Sequence, residues 1–532
     1  MQNALGPTPF AGPPPLLFFL ELYLQPKISS PLTADALPTL DRQTIGVPGL
    51  IFMIVAASAP LTVIAGGVPS NFAVTGNVGV PLSFLLLGGV LALFTVGYAA
   101  MSAHIRNAGA FYAYIAQGLG RAVGVGASWI ALVSYNAMQV GIYGLFGFAT
   151  ASFVASKTGV DLPWWAAALI GFLIVGWLGI NKVDLSVKVI AVLVGLEFLA
   201  VVIFDALAFS VAPVGVTGAG LDPSNLLVPG LGAVLAFSIA AFMGFESAAI
   251  YSEEVKDPKR AIGRATYVAV GLVASFYAVS SWAMTVATGP TQIVASAQEA
   301  GPDLIFIFLA EHAGPVITDI TQLLFITSLL AALIAFHNAV ARYSFSLGRE
   351  SVLPQWLAGV NPRTHAPVAG SLAQSVFALV VLVCFALAGS GSDLGPLFPV
   401  LTLFTWLTNA GAVGLVLLLV MTSVAVIGYF RRHVRQHTAW TRAVAPALSA
   451  VLLGAVFAVI LANFDVLIGA EGDSALSWIL PALILMPGLA GLGWGLYLKA
   501  RRPGLYSGIG FGGTQDPAGA KYSPGNQLPD VE

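Results

Sequence analysis

Three carboxyl side chains stand inside long apolar stretches of the sequence, where an ionised group is costly. Glu197 and Asp205 lie in the stretch 185–210, and Glu246 lies in the stretch 229–251. If these stretches cross a membrane, an ionised carboxylate in them costs about 2.5 kcal/mol or more, which makes it a functional candidate. The chemistry that such a group offers is proton binding and release. Glu197 and Glu246 are therefore predicted to take part in proton coupling, whereas Asp205 lies nearer the end of its stretch and is expected to be solvated.

Two apolar stretches contain residues that interrupt a helix. The stretch 47–72 has Pro60 near its centre, and the stretch 229–251 has Gly244 beside Glu246. Proline removes a backbone donor and clashes with the preceding turn, so carbonyl groups are freed inside the stretch. Freed backbone groups can replace the water around a charged ligand without adding a fixed charge. For either stretch alone, a kinked helix packed through small residues is an equally good interpretation.

The composition decides what kind of protein carries these residues. Of 532 residues, 58% are hydrophobic and only 9% are charged, against about 25% charged in an ordinary soluble domain. With 22 basic and 24 acidic side chains the chain cannot cover a water-facing surface, so it is predicted to be a polytopic membrane protein. A net charge of −2 excludes a basic nucleic-acid binder. The single cysteine, Cys384, excludes a disulfide framework and a Cys-based metal site.

Gaps between charged residues divide the chain into membrane spans. The gap from Arg42 to Arg106 contains 63 uncharged positions, which is room for two helices of about 20 residues each. Barrel strands would alternate polar and apolar residues, and these runs do not. Turn residues and polar clusters place twelve spans, in order, near 47–72, 79–104, 123–153, 163–181, 185–210, 229–251, 265–288, 316–345, 367–388, 397–428, 442–464 and 475–499.

Basic residues are distributed unequally between the two sets of loops. Of the 22 lysine and arginine residues, 21 lie before span 1 or next to the loops that follow even-numbered spans, and Lys157 is the exception. Basic residues are typical of cytoplasmic loops. Both termini are therefore predicted to be cytoplasmic, in a multi-pass protein of the cell membrane. The side of the bundle on which these 21 residues are expected to lie is called the basic side below. The other side is called the opposite side.

The predicted spans also give the domain organisation. Residues 47–211 are expected to form a first set of five helices, 229–428 a second set, and 442–499 two further helices. Residues 1–46 form a Pro-rich segment that is expected to be poorly ordered and cytoplasmic. Residues 503–532 are rich in glycine and proline and are expected to be a disordered cytoplasmic tail.

The two interrupted stretches are more informative as a pair than alone. They are spans 1 and 6, the first spans of two consecutive sets of five. An odd number of spans per set inverts the second set relative to the first. Interrupted helices at matching positions of inverted repeats are typical of the central binding site of a transporter.

Several motifs resemble those of the amino acid–polyamine–organocation (APC) superfamily, and in particular its amino acid permeases. The region of span 6 and its following loop carries the main match, Phe242-Met243-Gly244-Phe245-Glu246-Ser247 and Glu253-Glu254-Val255-Lys256-Asp257-Pro258-Lys259-Arg260. Further matches follow in order: Pro69-Ser70-Asn71-Phe72-Ala73, Asn107-Ala108-Gly109-Ala110-Phe111-Tyr112, Gly118-Leu119-Gly120, Gly348-Arg349-Glu350, Leu353-Pro354 and Ala366-Pro367-Val368-Ala369. The resemblance covers about residues 45–430. It implies an all-α polytopic membrane protein with the LeuT-like fold, a 5+5 inverted repeat followed by two additional helices.

The resemblance implies an amino acid substrate bound where the two interrupted helices meet. Backbone amides of 61–64 are expected to face the substrate carboxylate, and carbonyl groups of 57–59 and 240–243 are expected to accept from its ammonium group. The predicted substrate-binding residues on these two helices are Ser58, Ala59, Leu61, Thr62, Val63, Ile64, Ala240, Phe242, Met243 and Gly244.

Side chains from spans 3, 8 and 10 are expected to set selectivity. Asn136 and Gln139 lie on one face of span 3, which the resemblance makes the substrate face, and an interhelical polar clamp is an equally good interpretation. Phe336 on span 8 matches a position at which relatives place an aromatic ring over the substrate. The other candidates are His337 and Asn338, expected to bridge helices, and the weaker Thr405, Thr408 and Asn409.

Two departures from the family pattern bear on the substrate and the coupling ion. Ala240 stands where some arginine-type relatives have a tryptophan gate, which makes a cationic substrate less favoured. Glu197 stands where proton-coupled relatives carry a lysine facing the break in span 1, whereas Glu246 matches the family's acid on span 6. Sodium coupling stays open, because Thr327 and Ser328 can offer hydroxyl groups near span 1.

Three classes of function compete at this stage. The first is secondary active transport of amino acids by proton-coupled symport or exchange, with alternating access in the lipid bilayer. The second is a permease for a related organic amine such as a polyamine or ethanolamine, which would need an acidic partner for the extra charge. The third is a sensor or channel that keeps the fold. An enzyme is not favoured, no cofactor or metal is predicted, and the oligomeric state and the amino acid are not specified by the sequence.

Overall fold

The protein is described by a computed structural model in which nearly all of the apolar chain is helical. The described residues are 45–105, 109, 111–181, 187–246, 248, 255–361, 364, 366–432, 437–469 and 474–511. All of them from residue 45 onward belong to one compact unit, Leu40–Glu532. Extended pairing within these ranges is limited to an isolated parallel bridge between Ile45 and Val255. The prediction of an all-α fold is confirmed.

Eleven of the predicted spans are long apolar helices whose ends lie within a few residues of the predicted ones, apart from span 7, which begins seven residues earlier. Their bounds are Val47–Thr75, Val80–Ser102, Arg121–Thr158, Trp164–Asn181, Val187–Val211, Pro258–Thr288, Pro315–Arg349, Val368–Gly389, Gly395–Arg432, Trp440–Ala462 and Leu476–Arg501, for spans 1 to 5 and 7 to 12. Span 6 differs, because its regular helix is only Leu231–Ala240 and the residues 241–246 form turns.

A further apolar segment, Ile293–His312, is long enough to cross a membrane but is built differently. It consists of two short helices, Ile293–Ala300 and Leu304–His312, joined by a turn at Gly301–Asp303. At 1.5 Å per residue each helix covers about 12–14 Å, less than half of the roughly 30 Å hydrocarbon core. The Gln298 side chain donates to the carbonyl of Ala73 (3.1 Å), at the last turn of span 1. We therefore assign this hairpin to the loop between spans 7 and 8, where it covers span 1 on the opposite side.

Span 3 lies at the centre of the helix bundle and is packed through small residues. Its neighbours include spans 4, 8, 10 and 12. Gly414 of span 10 approaches Ser134 of span 3 so closely that a Cβ atom at Gly414 would lie 1.9 Å from the serine Oγ. Small residues at helix interfaces let backbones approach in a membrane, where van der Waals packing replaces the hydrophobic effect.

The outer surface carries large apolar side chains that suit a lipid environment. Trp177 of span 4, Val376 of span 9 and Trp478 of span 12 are each more than 60% exposed. Such side chains on the outside of the bundle agree with a multi-pass membrane protein.

The segments next to spans 1 and 6 are joined on the basic side. The chain ahead of span 1 pairs with the chain that follows span 6, through the bridge of Ile45 with Val255. The backbone N–H of Lys256 donates to the carbonyl of Ile45 (2.8 Å). The segments at this end of the two interrupted helices are therefore connected to each other.

Three expectations concern the ends of spans and the two ends of the chain. Asp205 is buried rather than solvated, because Ser280 of span 7 covers it and donates to its Oδ2 (2.8 Å). Residues 503–511 are not disordered: they form the short helix Pro503–Gly508 and a packed end in which Ile509 is fully buried. Residues 1–44 and 512–532 lie outside the described residues.

Candidate functional site at the crossing of two interrupted helices

The break in span 1 follows directly from its sequence. The regular helix Val47–Ser58 ends at Ala59, whose φ of 44° is left-handed although the residue is not glycine. Pro60 follows, and a π-helical segment, Thr62–Gly67, restarts the span. The carbonyl group of Ser58 accepts a hydrogen bond from the hydroxyl of Tyr277 on span 7 (2.8 Å). The break thus exposes backbone groups that side chains of other spans bind.

The break in span 6 lies against the break in span 1. After Leu231–Ala240 the chain turns, and Gly244 has a φ of +105° that favours glycine. A Cβ atom placed on Gly244 would lie 2.8 Å from the Cβ of Ala57 and 3.0 Å from its carbonyl carbon. Gly244 therefore permits the two backbones to cross in contact.

Glu246 is a local support of the span 6 break. Its carboxylate is fully buried and accepts from the backbone N–H of Gly244 (3.0 Å) and from the hydroxyl of Tyr135 on span 3 (2.7 Å). The hydroxyl of Tyr98 on span 2 donates to the Glu246 carbonyl (3.1 Å). Glu246 therefore ties the turn of span 6 to spans 2 and 3.

Glu197 reaches the break in span 1 from span 5. Its side chain is only 3% exposed. Its Oε2 accepts from the hydroxyl of Ser328 on span 8 (2.7 Å) and from the backbone N–H of Leu61 (3.4 Å). The hydroxyl of Thr62 donates in turn to Ser328 Oγ (3.2 Å). A proton-accepting group thus lies next to the first backbone amide after Pro60.

A cavity of about 60 Å³ lies between the two breaks and spans 3, 8 and 10. It brings together seven of the predicted substrate-binding residues: Ser58, Ala59, Thr62, Val63, Ala240, Met243 and Phe336. The predicted Leu61, Ile64, Phe242 and Gly244 are buried but are not among its lining residues. The remaining lining residues are Ala57, Gly67, Met138, Ile142, Phe237, Ala241, Ala332, Phe404 and Thr408.

Asn136 and Gln139 do not line this cavity. The Asn136 side chain donates to the carbonyl of Leu132 on its own helix (2.6 Å). The Gln139 side chain belongs to a buried polar cluster, in which its amide nitrogen lies 3.3 Å from His337 Nδ1 and its amide oxygen accepts from Gln374. This arrangement of spans 3, 8 and 9 favours the interhelical clamp for Gln139, and a substrate contact for either residue stays a prediction.

The side chains that sequence reasoning missed are mostly apolar. Met138 and Ile142 are four residues apart on span 3 and so share one helix face, and Phe404 ends a π-helical segment, Pro399–Phe404, of span 10. Apolar residues in a membrane helix carry no signal that separates a cavity wall from a lipid contact. The tyrosine partners of the breaks were equally hidden, because their roles depend on contacts between distant spans.

The cavity of about 60 Å³ is mostly apolar and carries a few polar side chains. It is called the chamber below. Its polar side chains are Ser58, Thr62 and Thr408, whereas Glu197 and Glu246 lie behind the wall and bind groups of the breaks. A larger cavity, of about 980 Å³, lies on the opposite side between the hairpin Ile293–His312 and the ends of neighbouring spans. Its lining includes none of the predicted site residues, so the small chamber is the candidate site.

Comparisons with known proteins agree with this architecture. The sequence profile of the family described as "Amino acid permease" matches residues 49–491. An uncharacterized transporter of Mycobacterium tuberculosis is 26% identical over 63% of this chain and 70% of its own. The branched-chain amino acid permease BcaP of Lactococcus lactis is 23% identical over 66% of this chain and 77% of its own.

Among solved structures, the chain is similar to a manganese transporter of Eremococcus coleocola. The TM-score is 0.52 at 16% identity, over 87% of this chain and 97% of that chain. At this identity the likeness shows the fold alone, which is the predicted LeuT-like arrangement of two inverted sets of five spans with two further spans. From the profile match and the all-helical fold with its many long apolar helices, we conclude that the chain belongs to the amino acid permease family and is a multi-pass transporter of the APC type.

Proposed function

We propose that the protein carries neutral amino acids with apolar side chains across the cell membrane by proton-coupled alternating access. The observation that carries the proposal is the apolar chamber at the crossing of spans 1 and 6, with a buried carboxylate behind each break. Polar backbone groups of broken helices suit the two charged ends of an amino acid. The walls formed by Met138, Phe237 and Phe336 suit an apolar side chain.

Glu197 provides a route to coupling. Its carboxylate accepts from the N–H of Leu61, which is one of the amides that are expected to face the substrate carboxylate. Two negative groups at one amide repel each other in a medium of low dielectric constant. Protonation of Glu197 therefore favours substrate binding, and loss of that proton favours release, which is the order of events that symport needs.

The names of two relatives indicate different substrates, and the residues that line the chamber favour one of the two substrate classes. The Lactococcus lactis relative is named for branched-chain amino acids, whereas a chloroplastic relative of Arabidopsis thaliana, matched over 30% of this chain, is named a cationic amino acid transporter. A cationic side chain or a polyamine needs an acidic partner. Among the described residues that line the chamber there is no carboxylate, which favours a neutral substrate.

Sodium coupling is the second candidate, favoured by the oxygen atoms of Thr62, Ser328 and Glu197 close to one another. Thr327 is less suited to such a site, because its hydroxyl donates to Leu324 on its own helix (2.9 Å). A sensor or channel with this fold would bind amino acids without concentrating them.

One experiment separates these functions. The purified chain is reconstituted in proteoliposomes, and uptake of radiolabelled leucine, lysine and ethanolamine is measured with a pH gradient or a sodium gradient. The proposal expects leucine accumulation that follows the pH gradient and is lost with a proton ionophore. Accumulation that follows sodium alone supports the second candidate, and binding without accumulation supports a sensor.

Termini on the cytoplasmic side are the orientation that we propose, because of the 21 basic residues on one side. A variant without its single cysteine, Cys384, receives one reporter cysteine at Gly218 or at Arg435. An impermeant maleimide added to intact cells is expected to label Gly218→Cys and not Arg435→Cys. Labelling of both from the same face contradicts this orientation.

A further inference from the structure

The chain beyond span 12 folds back onto the basic side. Span 12 ends at Arg501, and the short helix Pro503–Gly508 leads to Ile509, which is fully buried. Gly510 has a φ of +88°, and a Cβ atom on it would lie 3.1 Å from the Cβ of Ala116. Residues 503–511 are called the strap below.

The strap binds two separate parts of the bundle. The backbone N–H of Gly510 donates to Glu350 Oε2 at the end of span 8 (2.7 Å). The carbonyl of Gly510 accepts from the side chain of Gln117 (2.9 Å), in the short helix Phe111–Leu119 ahead of span 3. The guanidinium of Arg121 lies over the rings of Tyr506 (5.7 Å) and Phe511 (5.5 Å). Hydrogen bonds and cation–π contacts of this kind hold the strap against the bundle from Tyr506 onward.

A continuous series of buried tyrosines leads from the strap to the break in span 6. Tyr112 donates its hydroxyl to Glu350, and its backbone N–H donates to the hydroxyl of Tyr343 (3.3 Å). The Tyr343 ring lies 6.0 Å from the ring of Tyr135, which binds Glu246. All three tyrosines are at most 2% exposed. Tyrosine rings thus fill the space between Glu246 and the strap. The ring nearest the strap is that of Tyr112, which binds Glu350.

We propose that the strap is a built-in restraint that keeps the chamber closed towards the basic side. Opening on that side requires the tyrosine series to move, and the strap opposes this movement because it holds Glu350 and, through it, Tyr112. Release of the strap lowers the cost of opening. The inference rests on the proposed function only in taking the chamber as the site.

The test reads access to the chamber rather than transport. In the full-length chain Cys384 is replaced by serine, and Ala332, which lines the chamber, is replaced by cysteine as a reporter. Gly510→Ala strains the strap at a positive φ, and Gly504→Ala is the matched control, because a Cβ atom at Gly504 meets nothing within 4 Å. An impermeant maleimide is applied from the basic side in oriented membrane vesicles.

We expect Gly510→Ala to raise the labelling rate about three- to tenfold, which is the range for losing one hydrogen bond, and Gly504→Ala to leave the rate unchanged. Gln117→Leu removes the donor to the strap from the other side and should raise the rate in the same way, which keeps the test valid if Gly510→Ala is not recovered. Equal rates in Gln117→Leu and the parent overturn the proposal. Faster labelling without amino acid uptake in the parent protein would keep the strap and reject the proposed function.

Discussion

The breaks in spans 1 and 6 each have a backbone N–H that donates to a buried glutamate, but the two glutamates come from different places in the chain. Glu246 is two residues from Gly244 and supports its own break, with a tyrosine of span 3 as partner. Glu197 comes from span 5, and it binds Leu61 of span 1 together with Ser328 of span 8. A local support moves with its helix, whereas a support from elsewhere can be exchanged for a ligand. We infer that the span 1 break is the exchangeable one and that the span 6 break is the fixed one.

The strongest test of this comparison is at Gly244, where the two breaks touch. Leucine at this position would need space that Ala57 occupies, on a backbone with a φ of +105°. We expect Gly244→Leu to abolish substrate binding, measured by scintillation proximity on purified, monodisperse protein. The reason is collision with span 1, because Gly244 does not line the chamber.

Gly244→Ala is the smaller step, and it allows a rescue. Adding Ala57→Gly removes the methyl group that lies 2.8 Å from the new Cβ atom. We expect part of the affinity to return in this double variant. No return, or normal affinity in Gly244→Leu, contradicts direct contact between the breaks.

The next effect is expected at Glu197, on the exchangeable break. Glutamine keeps the size of the side chain and an acceptor for the Leu61 amide, but it cannot gain or lose the proton. We expect Glu197→Gln to lower accumulation under a pH gradient by at least about tenfold, equivalent to about 1.4 kcal/mol. Counterflow exchange of labelled for unlabelled substrate, which needs no pH gradient, should remain. Normal accumulation with an unchanged pH profile would show that Glu197 does not couple protons.

A smaller effect on transport is expected at Glu246, on the fixed break. Glu246→Gln weakens the bonds to Gly244 and Tyr135, so we expect a loss of stability of about 1–3 kcal/mol and a lower Tm by differential scanning fluorimetry. Tyr135→Phe removes the other partner, and the double variant should lose less than the sum of the two changes. If Glu246→Gln flattens the pH profile instead, the sequence-based prediction of coupling at this residue holds and our comparison fails.

The smallest effect is expected at Asn136, whose side chain binds Leu132 on its own helix. Asn136→Ala should change substrate affinity less than about twofold, because the side-chain amide is already engaged by the Leu132 carbonyl and does not line the chamber. Met138, two residues away, lines the chamber, and Met138→Ala should weaken binding of large apolar amino acids by about three- to tenfold. The reverse order of effects would place the polar face of span 3 in the site.

The spans were predictable because hydropathy and charge act over whole helices. The main differences come from segments whose role depends on contacts. Ile293–His312 is as apolar as a span but is divided by a turn. The tail at 503–511 has a composition typical of disorder, and it is ordered because Glu350, Gln117 and Arg121 bind it.

At the candidate site the two helix breaks were predictable from the sequence, whereas the side-chain contacts around them were not. Pro60 and Gly244 act on their own chain, and their matching positions in the two sets of spans, taken together, predict the breaks. The partners of Glu197 depend on contacts between residues more than 130 positions apart, such as the bond from Ser328. On span 3, attention to polar residues selected Gln139, whereas the chamber uses the apolar neighbours Met138 and Ile142.

The pairing of Ile45 with Val255 has a mechanical consequence. Backbone bonds such as that from Lys256 to Ile45 do not depend on which side chains the two segments carry. A rotation of span 1 is therefore expected to move the start of span 7 as well, because the two segments cannot separate without breaking this backbone pairing. In the alternating access that we propose, the two segments are therefore expected to move together on the basic side.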